Sequence, residues 1–394
     1  MKKTFGKSAL PLLFALWSVT PAMAQSFQSC LNSLRSQAEN QGVSRATFSN
    51  ALHGVSPDLS ILQLMDAQPE FKSPIWDYIS GLVDEQRVDD GKKAMKQWSR
   101  ALAAAEKRFG VNRYIIAGVW GVESDFGQAM GVRPLVQSLA TLACHGRRQS
   151  YFRGEFLATL RIIERGDIHP SLLKGSWAGA FGHTQFMPST FHRLAVDMDG
   201  DGRRDIVNSI PDALGSTANF LKKAGWNNSI PWGYEVRLPA RFDKSLAGRK
   251  KKRPLSDWAH MGVTTINGQP LSGNYQAAVL IPAGVNGPAF IVTKNFDALY
   301  SYNAAESYGL AIGLLADRLQ NRPGIQTPWP TDDPPLSRLE RKELQKRLVA
   351  RGYDVGDIDG VIGSKSREAI KDVERRLGMP QRGRAGGKVF KALQ

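Results

Sequence analysis

The chain reads as mainly α (α+β): a helical body at residues 25–320, a small β subdomain inserted at 233–292, and a separate three-helix module at 337–394. Three observations point there. Apolar residues recur at helical spacing across residues 26–109, 135–163 and 293–319. Residues 233–292 switch to alternating, β-rich runs at 234–238 and 277–281, punctuated by Asn267-Gly268 and Gly287-Pro288. Five prolines then crowd residues 321–336, which read as a linker before the tail.

At 394 residues the chain exceeds one compact core. Residues 1–24 read as a secretory signal peptide and lie outside the fold. Lys2, Lys3 and Lys7 give a basic start, residues 9–19 an apolar centre, and Ala22-Met23-Ala24 a small-x-small cleavage site. No later segment offers the roughly 18 unbroken apolar residues of a membrane span. Phe27-Gln28-Ser29 before Cys30 lacks the pattern of a lipoprotein signal, so the expectation is a soluble periplasmic protein. Two cysteines remain, Cys30 and Cys144; an even count in an oxidising compartment allows a disulfide, and two buried thiols are the alternative. Without the three leader lysines the formal charge falls from +16 to +13, a field that favours anionic partners. Export argues against nucleic acid as that partner, and the basic run 249–253 reads as a solvated loop.

Asn112 can cap a helix that delivers Glu123 at its far end before the chain stops at Gly127. On a 3.6-residue wheel Glu123 shares a narrow sector with Ile116, Val119 and Phe126, so it should point inward. A carboxyl on an apolar face is disfavoured in its charged form and holds a proton near neutral pH, as a general acid must. A structural Glu paired with a buried cation is the other reading. Asp125 projects from the opposite side, so the two acids are not a pair.

Residues 174–190 are dense in glycine, aromatics and small polar groups. Gly175, Gly179 and Gly182 allow close backbone approach, while Ser176 and Gln185 offer neutral groups suited to sugar hydroxyls and amides. A tight packing segment would look the same. Asp197, Asp199, Asp201 and Asp205 then fill positions one, three, five and nine of a D-x-D-G-D-G-x-x-D loop, the oxygen-rich pattern calcium prefers. Asn208 stands where a twelve-residue loop has its bidentate Glu, and Asp212 is the nearest replacement. Such a closed cage suits a structural metal. Tyr302 and Tyr308 carry amphipathic rings able to stack on sugars or to fill a core. In the tail, Ser337 and Glu340 form a capping box ahead of Leu344 and Leu348, and Ser364 can cap a second helix bearing Ile370 and Val373. The tail has no cysteine, histidine or obvious nucleophile, so binding is its natural role.

Gly121-Val122-Glu123-Ser124, the 175–188 segment, and Tyr302-Asn303 with Tyr308 together resemble the lytic murein transglycosylases of the membrane-bound transglycosylase B family, glycoside hydrolase family 103, over residues 30–320. The tail resembles a three-helix peptidoglycan-binding domain through Gly352-Tyr353, Asp359-Gly360, Gly363 and Ala369-Ile370. The resemblance implies a lysozyme-like helical catalytic domain acting on peptidoglycan glycan strands, as a monomer and with no catalytic cofactor. It implies that Glu123 protonates the glycosidic oxygen between N-acetylmuramic acid and N-acetylglucosamine, then helps the muramyl 6-hydroxyl close a 1,6-anhydro ring. Ser176, Gln185, Tyr302, Asn303 and Tyr308 would line the groove, and Arg203 would add its carbonyl to calcium held by Asp197, Asp199, Asp201, Asp205 and Asp212. Other cell-wall enzymes are its expected partners. Phe220 stands where relatives can place a groove tyrosine. Two glycosidase carboxylates normally face the bond; no second one is evident beside Glu123. A hydrolytic muramidase and a non-catalytic wall-binding protein are the rival readings. The six histidines lack H-E-x-x-H spacing, which argues against a metallopeptidase.

Overall fold

The computed structural model describes residues 21–65 and 73–394, so nearly all of the expected signal peptide lies outside the described residues. The body is built on two helical cores. One gathers the central helix Arg113–Ser124 and the helix Glu306–Leu319 through Ile116, Val119, Trp120, Ile312 and Leu315. The other gathers the helices Pro21–Asn40, Leu135–His145 and Gln149–Arg165 through Leu31, Leu34, Leu139, Leu142 and Phe156. Phe220 and Tyr302 pack against both cores and mark their seam. Cys30 and Cys144 are joined in a disulfide, which decides between the two readings and fixes the first helix to Leu135–His145.

Two stretches with continuous helical periodicity are each broken once. Residues 135–163 split at Gly146–Arg148, where Arg148 takes a left-handed φ of 61°. Residues 293–319 split at Ala304, also left-handed, giving Lys294–Asn303 and Glu306–Leu319. Apolar spacing survives such breaks because both halves face the same core.

The inserted subdomain is a five-stranded antiparallel sheet, in the order Arg253–Pro254, Gln276–Leu280, Ala289–Val292, Gly233–Arg237, Thr264–Thr265. Its second and third strands in that order are buried on both faces, and the period of two divides them cleanly. Ala278, Leu280, Phe290 and Val292 join the helical core, while Ala277, Val279, Ala289 and Ile291 face the subdomain's own core around Trp258. The basic run is not a solvated loop throughout. Arg249 and Lys252 are only 14% and 19% exposed at the side chain, and both pair with Asp297 on the helix Lys294–Asn303. Arg249 also lies over the Tyr300 ring. These contacts fasten the sheet to the body.

Residues 321–336 do not run free. Glu235 accepts the N–H groups of Gln326 and Thr327, each at 2.8 Å, and Trp329 sits beside Trp76 at 6.4 Å between rings. The terminal module packs the helices Arg338–Val349, Ser364–Arg376 and Gly387–Ala392 around Leu344, Leu348, Ile370, Val373 and Val389. Ser337 and Glu340 form the expected capping box. Ser364 lies inside its helix rather than capping it; Gly363 holds the cap position without a side-chain bond.

Asp317 is a buried carboxyl that accepts from Trp232 Nε1 and Arg322, and burial pushes its pKa up to about 6 from 3.8. A carboxyl raised on folding stabilises the fold most fully below its unfolded value, and that contribution is lost as pH rises through its folded value. The chain is therefore expected to lose up to about 3 kcal/mol relative to Asp317→Asn as pH rises from 3.8 to about 6. Paired melting curves across that range, with parallel profiles as the contrary result, test it.

Candidate active site

The central helix starts as its sequence requires, with Asn112 Oδ1 accepting the Tyr114 N–H at 2.9 Å. Ile116 and Val119 are fully buried, and Glu123 is half-buried at the end of the same sector. Phe126 does not extend that sector. The helix ends at Ser124, short of the expected stop at Gly127, because Asp125 and Phe126 both adopt left-handed φ values of 51° and 57°.

Two glycines on this helix set the geometry. A Cβ at Gly118 would stand 2.9 Å from the Ile312 carbonyl, and one at Gly121 2.8 Å from Leu315 Cδ2. The helix Glu306–Leu319 approaches that closely only because neither side chain exists. Its first turn thereby delivers the Tyr308 hydroxyl to Glu123 Oε1. Tyr308 is 2% exposed, so it is a core ring with a polar tip, not an open stacking face. Burial first, then the charge of Glu123, holds its hydroxyl well above the ordinary tyrosine range, so it remains a donor. The same causes act on Tyr302, which stacks on Tyr308 at 6.2 Å and donates to the Thr184 carbonyl at 2.8 Å. Phe220, lacking a hydroxyl, packs its ring 4.4 Å from that of Tyr302.

The glycine-rich segment is anchored to the central helix. Ser124 Oγ donates to the His183 carbonyl at 2.7 Å, and Trp120 Nε1 donates to His183 Nδ1 at 3.1 Å. Burial pushes the His183 ring pKa down and keeps it neutral. Ser176 closes a tight turn, its N–H donating to the Ala180 carbonyl and its hydroxyl accepting the Ala180 N–H. A side chain at Gly175 would run into the Ala180 carbonyl. Gln185, at φ 49°, donates its amide to the carbonyls of Gly182 and Met130. Asn303 ends its helix in an exposed position next to Tyr302. Among the described residues, six non-glycines have left-handed φ; four of them, Asp125, Phe126, Gln185 and Ala304, lie at or beside these site residues. Each such conformation costs about 1–3 kcal/mol and persists only where its surroundings over-determine it.

Asp125, expected on the opposite side of the helix from Glu123, instead lies past the helix end, at the left-handed cap. It is buried, with Arg87 at 3.0 Å and Arg338 at 3.1 Å. Sequence reading missed these partners, along with Tyr78, which is close enough to act electrostatically on Tyr308, and the His183 anchor. All join segments distant in the chain and leave no local pattern.

The acidic loop is divided. Asp197, Asp199 and Asp201 bring one carboxylate oxygen each within 4.8 Å of one another. Asp212 is fully buried, and its two oxygens accept the N–H groups of Met198, Asp199 and Asp205. Asp205 turns onto the N–H groups of Val207 and Asn208, and the Arg203 side chain pairs with Asp201. Three clustered oxygen ligands with no soft donor fit a hard cation; all five acids, Asp197, Asp199 and Asp201 as well as Asp205 and Asp212, also accept backbone N–H groups of the loop.

Residues 26–317 match the family described as Transglycosylase SLT domain, and residues 337–393 match a putative peptidoglycan binding domain. The chain is 34% identical over 269 residues to the membrane-bound lytic murein transglycosylase B of Escherichia coli, covering 65% of this chain and 73% of that protein. The crystal structure of SltB3 from Pseudomonas aeruginosa, in complex with NAG-anhNAM-pentapeptide, aligns at a TM-score of 0.76 and 44% identity, over 94% of this chain and 99% of that one. Slt35 from Escherichia coli, in complex with calcium, aligns at 0.65 and 30% identity, over 75% and 93%. The helical body around Glu123 and Tyr308, its small antiparallel sheet and its helical tail thus belong to the transglycosylase SLT domain family, the lytic murein transglycosylases, in a form that ends in a peptidoglycan-binding domain.

Proposed function

We propose that this protein works in the periplasm on peptidoglycan glycan strands, cleaving the β-1,4 bond from N-acetylmuramic acid to N-acetylglucosamine without water, with Glu123 as sole acid and base. The observation that carries the proposal is the placement of the two acids at the helix end. Glu123 is half-buried and held by the neutral Tyr308 hydroxyl, while Asp125 is taken up by Arg87 and Arg338. A lone carboxyl next to neutral hydrogen-bonding groups suits a reaction in which the substrate supplies the nucleophile. Glu123 gives its proton to the leaving oxygen as the bond from muramyl C1 breaks. The muramyl 6-hydroxyl then bonds to C1 and returns its proton to Glu123, so the acid is regenerated and no water is consumed. Ser176, Gln185, Tyr302 and Asn303 would bind and orient the strand, with Tyr308 steadying the carboxyl.

Asp197, Asp199, Asp201, Asp205 and Asp212, with the Arg203 carbonyl, would hold calcium; its chemistry there is neutralisation of clustered charge, which fixes the loop. The calcium complex of Slt35 supports this reading.

Glu123→Gln is expected to abolish release of muropeptides from sacculi while leaving wall binding intact. Mass spectrometry of wild-type products should find them one water lighter than hydrolysis products; reducing-end muramic acid alone would transfer the protein to the muramidases. Tyr308→Phe removes a hydrogen bond to a charged group worth about 1.5–3 kcal/mol, so turnover should fall about ten- to hundredfold with the fold preserved by circular dichroism. Calcium added after chelation should raise Tm by several degrees in the wild-type chain and not in Asp199→Asn; equal shifts in both would remove the metal from this loop.

A further inference from the structure

The terminal module is seated on the catalytic body by charge. Its Arg384 makes a bidentate pair with Asp77, with N–O distances of 2.6 and 2.7 Å, and Arg338 reaches Asp125. Arg341, bonded to the carbonyls of Gly360 in the module and of Leu336 at the end of the linker, faces the field of Asp84 and Asp77. These contacts are mostly shielded from solvent. The side chains of Arg384 and Arg338 are 15% and 22% exposed, and that of Asp125 is 9%.

Their positions along the chain carry the point. Asp77 adjoins Tyr78, which acts on Tyr308, and Asp125 follows Glu123 by two residues at the left-handed end of the central helix. Arg87 supports that same end, donating to the Gly121 carbonyl and pairing with the other Asp125 oxygen. That carbonyl also accepts the Asp125 N–H at 3.1 Å, and a cation at a helix C-terminus interacts favourably with the helix dipole. Asp125 needs both arginines. Arg87 alone would leave its second oxygen facing a desolvated interface without a partner, and a buried half-paired carboxylate is costly.

We propose that Arg338 is a positioning residue for Glu123, acting across the domain boundary through Asp125, so that the seated module sets turnover as well as wall affinity. The inference rests on Glu123 being the reacting acid. A module that served only as a tether would change affinity for sacculi and leave chemistry on a short soluble glycan untouched.

The test uses the full chain and a soluble muropeptide-bearing tetrasaccharide. Because misplacement of a reacting group by about 1 Å costs on the order of a hundredfold, Arg338→Gln is expected to lower kcat by about tenfold or more while KM stays within about twofold. Arg338→Lys should recover part of the loss. Arg45→Ala, a distant and exposed pair member, is the control for substitution in general. Arg384→Gln opens the other contact without touching the Asp125 cluster and should shift kcat in the same direction; it decides the matter if Arg338→Gln folds poorly. Unchanged kcat in the folded variants, or a defect seen only on sacculi, would overturn the proposal. Neither outcome touches the assignment of Glu123, which stands or falls with Glu123→Gln and the products of the wild-type chain.

Discussion

The hydrogen bond from Tyr308 to Glu123 is the contact on which the rest of the catalytic body depends. A half-buried carboxyl needs a partner. An arginine or lysine in that place would hold the acid permanently charged, whereas a phenol kept protonated by its own burial donates without adding charge. The partner has to come from another helix, and the two backbones have to approach closely for it to reach. Gly118 and Gly121 permit that approach; Ile312 and Leu315 fill the space thus opened. The seam between the two cores, with Tyr302 wedged in it, follows from the same fit.

Much of this was legible in local pattern. Helical spacing placed Glu123 in the sector of Ile116 and Val119, and Asn112 marked the start of its helix. The β insertion announced itself by composition, and its period of two later sorted buried residues between two cores. The helix end was not legible. Asp125 and Phe126 are left-handed without being glycine, and what holds Asp125 there comes from Arg87 and Arg338, the latter 213 residues away. Tyr78 escaped notice for a related reason: one tyrosine on an apolar helix has the spacing of any core aromatic.

The acidic loop shows a different limit. Motif order identified the acids but not the use of their oxygens. Asp205 and Asp212 read as ligands by position; their carboxylates accept backbone N–H groups, as those of Asp197, Asp199 and Asp201 also do, while the latter three bring an oxygen each within 4.8 Å of one another. Composition misled in the same way at residues 249–253, where charge suggested solvent and Asp297 supplies a specific docking point. The linker 321–336 has docking points of its own at Glu235 and Trp76.

The bond between Cys30 and Cys144 has a topological consequence. It closes a covalent ring with a sequence separation of 114 residues, and the whole central helix, Glu123 included, lies within it. A single protease cut anywhere in that ring leaves both fragments attached, so a nicked molecule keeps its mass until a reductant frees the pieces. Comparing electrophoretic mobility with and without thiol would therefore reveal backbone damage that activity and size alone conceal.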